Sequence, residues 1–399
     1  MSRSISHRTL SVLLVYVVGF VLFSSWMALN STREVGMPVF DSRAYYYAVQ
    51  LAWQGENPFD FAAAQALALE LTARPLTLTP YLYPPPSLMA LAWMKPLTHD
   101  QSFGVLLLLG HLCLLGVLWM VHRSGGRWWT MALLITVWSP IHNTFEQGQV
   151  GVLILTCFAA AMLSRSPVGV AAGGLGKITP AAMLLWMARL RLWRPIVKVV
   201  AIGVGVYALS LLWISWEAQQ DYLTRVLPAL ITGRVDTLGV PHPDAVTLNH
   251  SLGQFVRWTP GLDGHRAIAE GLLKLALVGV WFACPMRRPR AGAAALIVLI
   301  TLMPALVWEA HFTYLLLPAW VGIESWSSLK RPWRALLVLS VLGCAVHSDW
   351  TEPIQWVLPE LTGLWLVHKQ LAALGLFAIC VHQMTAEEAS DEAAATVSR

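Results

Sequence analysis

The sequence predicts an all-α polytopic membrane protein, in which apolar segments alternate with short polar turns. Of its 399 residues, 56% are hydrophobic and only 12% are charged, whereas soluble domains carry roughly 25% charged residues. Its 20 tryptophans fit many helix ends at membrane–water interfaces, where the amphipathic indole ring is favoured. Lysines and arginines stand in short clusters between apolar runs, as they do in cytoplasmic loops. The net charge of +5 is therefore explained by topology, and nucleic acid is not an expected partner.

The first apolar run, residues 10–30, is uncharged and about long enough to cross a bilayer as one helix. It is too long for a typical signal-peptide core, so we expect a retained helix. Arg3 and Arg8 precede this run, which places its start on the cytoplasmic side. The chain then emerges on the extracytoplasmic side.

A long polar and aromatic loop, residues 30–80, follows on that side. Residues 44–53 predict a short helix that starts at Asp41 or Ser42. Residues 61–71 are apolar on most faces but too short to span, so we expect this helix to lie on the membrane surface.

The remaining apolar segments complete a predicted bundle of roughly 10–12 transmembrane helices. A second long loop, residues 217–266, separates them into two groups. Lys177 interrupts one segment among glycines and Pro180, so it is either a single span or a broken re-entrant pair. The predicted segments are 87–97, 103–121, 128–141, 150–163, 168–190, 196–216, 267–284, 291–307, 313–323, 335–346 and 361–381.

We predict one integral-membrane domain, residues 1–383, and an acidic, disordered cytoplasmic tail, residues 384–399. Basic clusters at 189–194 and 287–290 mark the cytoplasmic side. Counting crossings from these clusters places the loop of Asn249 and the helix end of His311 on the outer face with Asp41. The five cysteines lie in or beside apolar runs without metal-ligand spacing, which indicates reduced thiols and no metal site.

Asp41 is the first candidate catalytic residue. Its carboxylate follows a membrane exit and precedes the aromatic cluster that begins at Tyr45, so it is hydrated and within reach of a lipid headgroup. It has two explanations, a helix N-cap or a catalytic base. These are compatible, since a helix N-terminus holds a carboxylate ionised and fixed.

Lys177 is the second candidate because it lies inside an apolar segment. Placing an ammonium group in lipid costs roughly several kcal/mol, so a lysine inside a membrane-spanning segment indicates a functional role. Snorkelling toward the interface is the structural alternative. The neighbouring glycines and Pro180 would open the helix and expose backbone N–H groups that suit an anionic phosphate.

Other polar residues are weaker candidates for binding a sugar or a phosphate. His311 stands at a predicted helix end, and its titration near neutral pH would let it assist a leaving phosphate. Asn249, Ser251 and Arg257 lie in the second loop, and a guanidinium matches phosphate geometry well. Gln149 follows a glycine at a helix end. Turn, capping and solvent roles explain each of these residues nearly as well.

Taken in order, seven short motifs carry a family resemblance. They are Asp41-x-x-x-Tyr45-Tyr46, Gly55-Glu56-Asn57-Pro58-Phe59, Tyr81-Leu82-Tyr83-Pro84-Pro85, Gly148-Gln149-Val150, Gly176-Lys177-Ile178-Thr179-Pro180, Asn249-His250-Ser251 and Trp308-Glu309-Ala310-His311-Phe312. This set resembles glycosyltransferase family 87, membrane mannosyltransferases of the GT-C architecture that use polyprenyl-phosphate mannose.

The resemblance implies Asp41 as general base and His311 as a second active-site residue. The expected donor phosphate and sugar contacts are Lys177, Arg257, Asn249, Ser251, Gln149, Tyr45 and Tyr83. The expected substrates are a polyprenyl-phosphate-linked sugar and a glycolipid or glycan acceptor of the cell envelope, with no metal or other cofactor. The expected location is the bacterial cytoplasmic membrane, with the active site facing the periplasm. There are two alternatives. The protein could be a lipid transporter or flippase, or a non-catalytic member of an envelope-assembly complex.

Overall fold

The computed structural model describes residues 41–239, 249–259, 261–262, 264–347 and 362–387, together with the single residues 19, 22 and 357. Within these ranges the regular secondary structure is helical and no β-strand is present. The predicted all-α class is thereby confirmed. The first predicted span, residues 10–30, lies outside the described residues except for Gly19 and Leu22, and so does the tail after residue 387.

The α-helices of the described residues are numbered in chain order. They are α1 Asp41–Trp53, α2 Phe61–Thr72, α3 Pro85–Leu91, α4 His99–Arg123, α5 Trp128–Val137, α6 Ser139–Glu146, α7 Gly151–Ser164, α8 Pro167–Gly176, α9 Met183–Arg189, α10 Trp193–Ser210, α11 Trp216–Asp221, α12 Leu227–Thr232, α13 Leu252–Arg257, α14 Arg266–Ala283, α15 Pro289–Leu302, α16 Leu316–Glu324, α17 Arg331–Ala345 and α18 Thr362–Thr385. Short 3-10 helices join several of them, and Tyr222–Val226 forms a π-helix between α11 and α12.

Three of these helices, α4, α10 and α18, are long and apolar enough to cross a membrane. The longest, α4, has 25 residues and spans about 37 Å at the helical rise of about 1.5 Å per residue. It starts at Thr98, whose side chain accepts the Gln101 N–H while the Gln101 side chain accepts the Thr98 N–H. This capping box fixes where the helix begins.

Exposed apolar stripes run along these helices. Their members recur every three or four residues and so share one helix face. Unpartnered apolar stripes of this length are typical of a surface that lipid covers. They comprise Leu108, Leu112, Leu115 and Trp119 on α4, and Val197, Val200 and Val204 on α10.

Several other predicted spans are shorter or broken helices. Segment 128–141 divides at Trp138 into α5 and α6, because Pro140 lacks an N–H and is favoured in the first turn of a new helix. Segment 168–190 divides at Lys177, between α8 and a 3-10 turn. Helix length thus identifies three candidate spans among the described residues, and the bundle of roughly 10–12 spans stays a prediction.

Two predicted segments differ from what the structure shows. Segment 87–97 is α3 followed by a 3-10 turn, and its Leu88 and Met94 are buried inside the protein. The described parts of the second predicted loop, 217–266, are largely helical through α11, the π-helix, α12 and α13. The loop prediction was wrong because polar residues between the buried positions Tyr222 and Val226, and before them, hid the helical spacing of these two residues.

The described helices pack around three apolar cores, and the two larger cores meet at Val150. Of these two, the larger core surrounds α15, whose residues 291–302 are all buried. The smaller core joins α1 and α3 to residues 214–238. Val150 contacts both cores, and the candidate site lies at this junction.

A buried ion pair connects the last helix to the rest of the larger core. Lys369 of α18 has no exposed surface, and its Nζ lies 3.4 Å from Oε1 of Glu309. The same ammonium donates to the carbonyl oxygens of Cys344 at 3.1 Å and Val346 at 2.6 Å. Glu309 also accepts a hydrogen bond from Ser139 at 2.5 Å. The pair fixes the position of the 3-10 helix Glu309–Leu315, which carries His311.

Candidate active site

The carboxylate of Asp41, the first residue of α1, lies where three separate segments meet. Its Oδ1 accepts a hydrogen bond from the Thr79 hydroxyl at 3.2 Å. Its Oδ2 accepts one from the side-chain amide of Gln149. Both of these bonds come from side chains of other segments rather than from the first turn of α1. A residue that only capped α1 would require neither of these two bonds.

Gly148 permits this close approach. It has a positive φ of +61°, which a glycine adopts without the steric cost that a side chain would add. A Cβ atom at this position would lie 2.7 Å from the Cβ of Ser42. The Ser42 N–H donates to the Gln147 carbonyl at 3.2 Å. The glycine turn therefore sets Gln149 directly against Asp41.

The surroundings of Asp41 make its carboxylate a stronger base than an ordinary aspartate. Burial raises the pKa of Asp41 to about 6, and three weaker effects lower it. These are the hydrogen bond from Thr79, the positive charge of Lys177 and the hydrogen bond from Gln149. A pKa near the working pH combines ionisation with useful basicity.

Lys177 ends α8 in an extended conformation, with φ −155° and ψ 123°. Its Nζ donates to the Tyr314 hydroxyl at 3.5 Å and lies 5.8 Å from the ring centroids of both Tyr83 and Tyr314. These contacts are cation–π geometry. They hold the ammonium inside the protein and near Asp41, whereas a snorkelling lysine would extend toward the membrane interface.

Two tyrosines line the space beside these charges. The Tyr45 hydroxyl donates to the Tyr83 hydroxyl at 2.8 Å, and it accepts the Val150 N–H at 3.5 Å. Their ring centroids are 5.2 Å apart in an edge-to-face arrangement. The pair forms a rigid wall with hydroxyl groups close to the cavity.

His311 is held by its own helical turn. Its Nδ1 accepts the Trp308 N–H at 3.0 Å, which leaves the proton of a neutral imidazole on Nε2. Burial, aided by the positive charge of Lys177, keeps the pKa of His311 well below its usual range. The imidazole is therefore a neutral Nε2–H donor. The expected titration of His311 near neutral pH is wrong, because the site removes it from water.

These side chains share one cavity of about 1060 Å³. The catalytic candidates Asp41 and His311 both line it. Apolar side chains of α9, α12, α14 and α15 line its other part. The lining therefore combines the polar group around Asp41 with mainly apolar side chains of these four helices, among which Lys274 of α14 is charged. The predicted binding residues that line it are Lys177, Gln149, Tyr45 and Tyr83.

Three predicted binding residues do not line this cavity. Asn249 is buried, and its Oδ1 accepts the N–H groups of Ser251 at 3.1 Å and Val307 at 3.0 Å. Its Nδ2 donates to the Ala305 carbonyl at 2.9 Å. Ser251 caps α13, where it accepts a backbone N–H, and Arg257 is the last residue of that helix. These positions give Asn249 and Ser251 roles in the framework and separate all three from the cavity wall.

Replacing Asn249 with alanine is expected to destabilise the protein by about 2–4 kcal/mol, because two buried backbone N–H groups lose their acceptor. A thermal melt of the purified protein measures this loss. Gln65→Ala, an amide exposed on α2, is the control and should melt like the wild type. An unchanged melting temperature for Asn249→Ala would contradict the framework role.

Sequence reasoning missed several residues of the site. Tyr314 stands three residues after His311, which is one turn of a 3-10 helix and hence the same face. That spacing could have identified it. His250 lines the cavity while its neighbour Asn249 does not. Thr79 carries no motif of its own, and only the fold brings it to Asp41.

Comparison with known proteins identifies a family for this chain. The family model for glycosyltransferase family 87 matches residues 81–313, which is more than half of the chain. The matched range includes Gln149, Lys177 and His311. Among curated proteins no match was found. The chain therefore belongs to glycosyltransferase family 87.

Proposed function

We propose that this glycosyltransferase moves a sugar, mannose, from a polyprenyl-phosphate donor to a lipid-linked or envelope glycan acceptor. One observation carries the proposal. A carboxylate and a lysine lie near each other in the wall of a cavity that is otherwise lined mainly by apolar side chains. A sugar joined to a long lipid through a phosphate likewise combines a charged group with a long apolar one.

The apolar part of the cavity supports a lipid-linked donor. A prenyl chain gains about 25 cal/mol for each Å² of apolar surface that it buries, and a nucleotide offers no such surface. The wall is built from aliphatic side chains of helices on both sides of the cavity. They include Leu230 and Ile231 of α12, Val278 of α14, and Leu296 and Leu299 of α15.

In the proposed reaction, the carboxylate of Asp41 accepts the proton of the acceptor hydroxyl. The hydroxyl oxygen bonds to the anomeric carbon as the bond from that carbon to the phosphate oxygen breaks. The electron pair of the broken bond stays on the phosphate oxygen. This single displacement inverts the anomeric configuration.

Lys177 and His311 act on the departing phosphate. The ammonium of Lys177 offsets the charge that develops on the leaving oxygen. The neutral His311 imidazole donates its Nε2–H to a phosphate oxygen and thereby orients it. Before the donor binds, Lys177 stabilises the ionised form of Asp41, so the donor phosphate competes for a cation that is already in position.

We further propose that the enzyme spans the bacterial cytoplasmic membrane and that the cavity faces the periplasm. The basic clusters of the sequence support this orientation. A transporter is not favoured, since the chain belongs to a glycosyltransferase family. A non-catalytic role does not require Asp41, Lys177 and His311 to converge, and all three line one cavity.

Purified full-length protein in lipid vesicles tests this proposal. The donors are polyprenyl-phosphate mannose, polyprenyl-phosphate glucose and nucleotide-linked mannose, with octyl α-mannoside as acceptor. We expect product from polyprenyl-phosphate mannose and an inverted anomeric configuration by NMR. Transfer from the nucleotide-linked sugar, or retention of configuration, would contradict the proposal. Transfer of glucose at the same rate would overturn the choice of mannose alone.

The rate of transfer is expected to fall tenfold for each pH unit below about 6, since burial raises the pKa of Asp41 to about 6 and only the ionised base is active. Thr79→Val removes a hydrogen bond that favours the ionised form, so it should move this acidic limb upward by about half to one pH unit. A profile of kcat/KM against pH measures the shift. Thr232→Val, at an exposed position of α12, should leave the limb in place. An unmoved limb in Thr79→Val would assign the titration to another group.

A further inference from the structure

A second, smaller cavity of about 520 Å³ adjoins the first. Gly239 lines both cavities. This residue has a positive φ of +84°, and a Cβ atom there would lie 2.8 Å from the ring of Phe61. A glycine is therefore required at this residue, which both cavities share.

The second cavity is built on a network of planar polar groups. The Nε and Nη2 atoms of Arg225 donate to the two carboxylate oxygens of Asp221, each at 2.6 Å. Nη2 also donates to the Phe59 carbonyl at 3.0 Å. The Asn57 amide donates to Asp221 at 2.8 Å. These bonds hold the guanidinium, the carboxylate and the amide in fixed orientations.

This fixed network retains hydrogen-bonding capacity toward the cavity. Among the described residues, the Nη1 group of Arg225 has no acceptor. The Arg225 side chain is 41% exposed, so water reaches it. The Thr237 hydroxyl donates to the Arg234 carbonyl and keeps its own lone pairs as acceptors. The ring of Phe61 lines the same space.

Such a set of groups fits a sugar. A pyranose carries adjacent hydroxyl groups that both donate and accept, which matches a guanidinium, an amide and a carboxylate held in fixed orientations. Its C–H face packs on an aromatic ring. The lining contains little of the apolar surface that a prenyl chain requires, in contrast to the first cavity.

The π-helix Tyr222–Val226 connects the two cavities structurally. Its first residue, Tyr222, lines the first cavity, while Arg225 lines the second. A π-helical turn widens the helix and changes the direction of the side chains that follow, and such turns are frequent at functional sites. The distortion directs one side chain into each space.

We propose that the second cavity binds the carbohydrate of the acceptor and directs its reacting hydroxyl past Gly239 into the first cavity. The identification of the bound sugar as acceptor rests on the proposed function. The binding of a sugar in this cavity does not. The acceptor therefore contacts a surface separate from that of the lipid-linked donor.

Ala62→Trp tests the proposal because Ala62 is an exposed residue of α2 that lines the second cavity. The indole fills the space and removes no side-chain hydrogen bond. Ala66→Trp is the matched control, since Ala66 is exposed one turn further along α2 and lies outside the second cavity. The probe is methyl α-mannoside, whose binding to full-length protein in detergent is followed by saturation-transfer NMR.

Ala62→Trp is expected to weaken binding of methyl α-mannoside by about tenfold or more, while Ala66→Trp binds like the wild type. In the transfer assay, Ala62→Trp should raise KM for octyl α-mannoside and leave KM for the donor unchanged. Unchanged binding in Ala62→Trp, equal loss in both variants, or no binding to the wild type would overturn the proposal. Absence of transfer in the wild type, with selective loss of binding in Ala62→Trp, would instead overturn the donor assignment alone.

Discussion

Replacing Asp41 with asparagine is expected to lower the rate of sugar transfer by about 10²–10⁴-fold. Asparagine has nearly the shape of aspartate but cannot accept the proton of the acceptor hydroxyl. Its amide also brings a donor toward Thr79 or Gln149, both of which donate to the native carboxylate. Because binding of the donor does not require the proton acceptor, KM for the donor should change much less than kcat. Steady-state kinetics with polyprenyl-phosphate mannose measures both quantities.

Glu70→Gln is the control for this substitution. It also converts a carboxylate to an amide, but on the exposed surface of α2, and it should transfer sugar at the wild-type rate. Melting temperatures of both variants show whether a loss of activity is a loss of folding. Full activity in a folded Asp41→Asn protein would assign the general base to a different residue.

Replacing Lys177 with methionine is expected to lower kcat/KM by about 10²–10³-fold, the effect of removing one preorganised group that stabilises transition-state charge. Methionine has a similar length and is apolar, so the apolar surroundings of the side chain remain filled. The substitution also removes a charge that lowers the pKa of Asp41, so the acidic limb of the pH profile should move upward. The two effects are separable, because only the second moves the acidic limb of the profile.

Lys198→Met, on the exposed face of α10, should leave both the rate and the pH profile unchanged. Lys177→Arg keeps the charge in a bulkier group between Tyr83 and Tyr314, so we expect it to recover part of the activity. Wild-type kcat/KM in Lys177→Met would show that another cation neutralises the leaving phosphate.

The helical class of the fold was predictable because composition constrains it directly. A chain with few charges and long apolar runs cannot satisfy its backbone in lipid except through helices or closed barrels. The positions of α4 and α18 also follow from the sequence, since the predicted segments 103–121 and 361–381 overlap these helices, although Lys369 interrupts the apolar run of α18. The helices of residues 217–232 were missed, because Glu217, Gln219, Gln220 and Asp221 form a polar run at their start, and the buried Gln219 interrupts the apolar spacing.

The candidate site could be predicted in part. Whether a residue could be identified from the sequence depended on what its side chain contacts. Asp41 and Lys177 stand out because a charge beside or inside an apolar run requires an explanation. Asn249 matches a motif equally well, yet it holds the backbone at Ala305 and Val307. A motif does not distinguish the wall of a cavity from the framework behind it. Thr79 could not be identified, because its relation to Asp41 exists only after the segments have packed.

The pairing of Lys369 with Glu309 affects how the protein is assembled. The last described helix, α18, is long and apolar enough to cross a membrane. In lipid, the unpaired ammonium of Lys369 would cost roughly several kcal/mol. Its partner carboxylate has already been synthesised and stands two positions before His311. The charge of Lys369 is therefore compensated only when α18 docks, and Glu309, which also accepts a hydrogen bond from Ser139, gains its lysine partner in the same step. Docking of α18 and fixation of the segment that carries His311 thus become a single event, so we expect a product truncated before residue 362 to leave His311 without its fixed position.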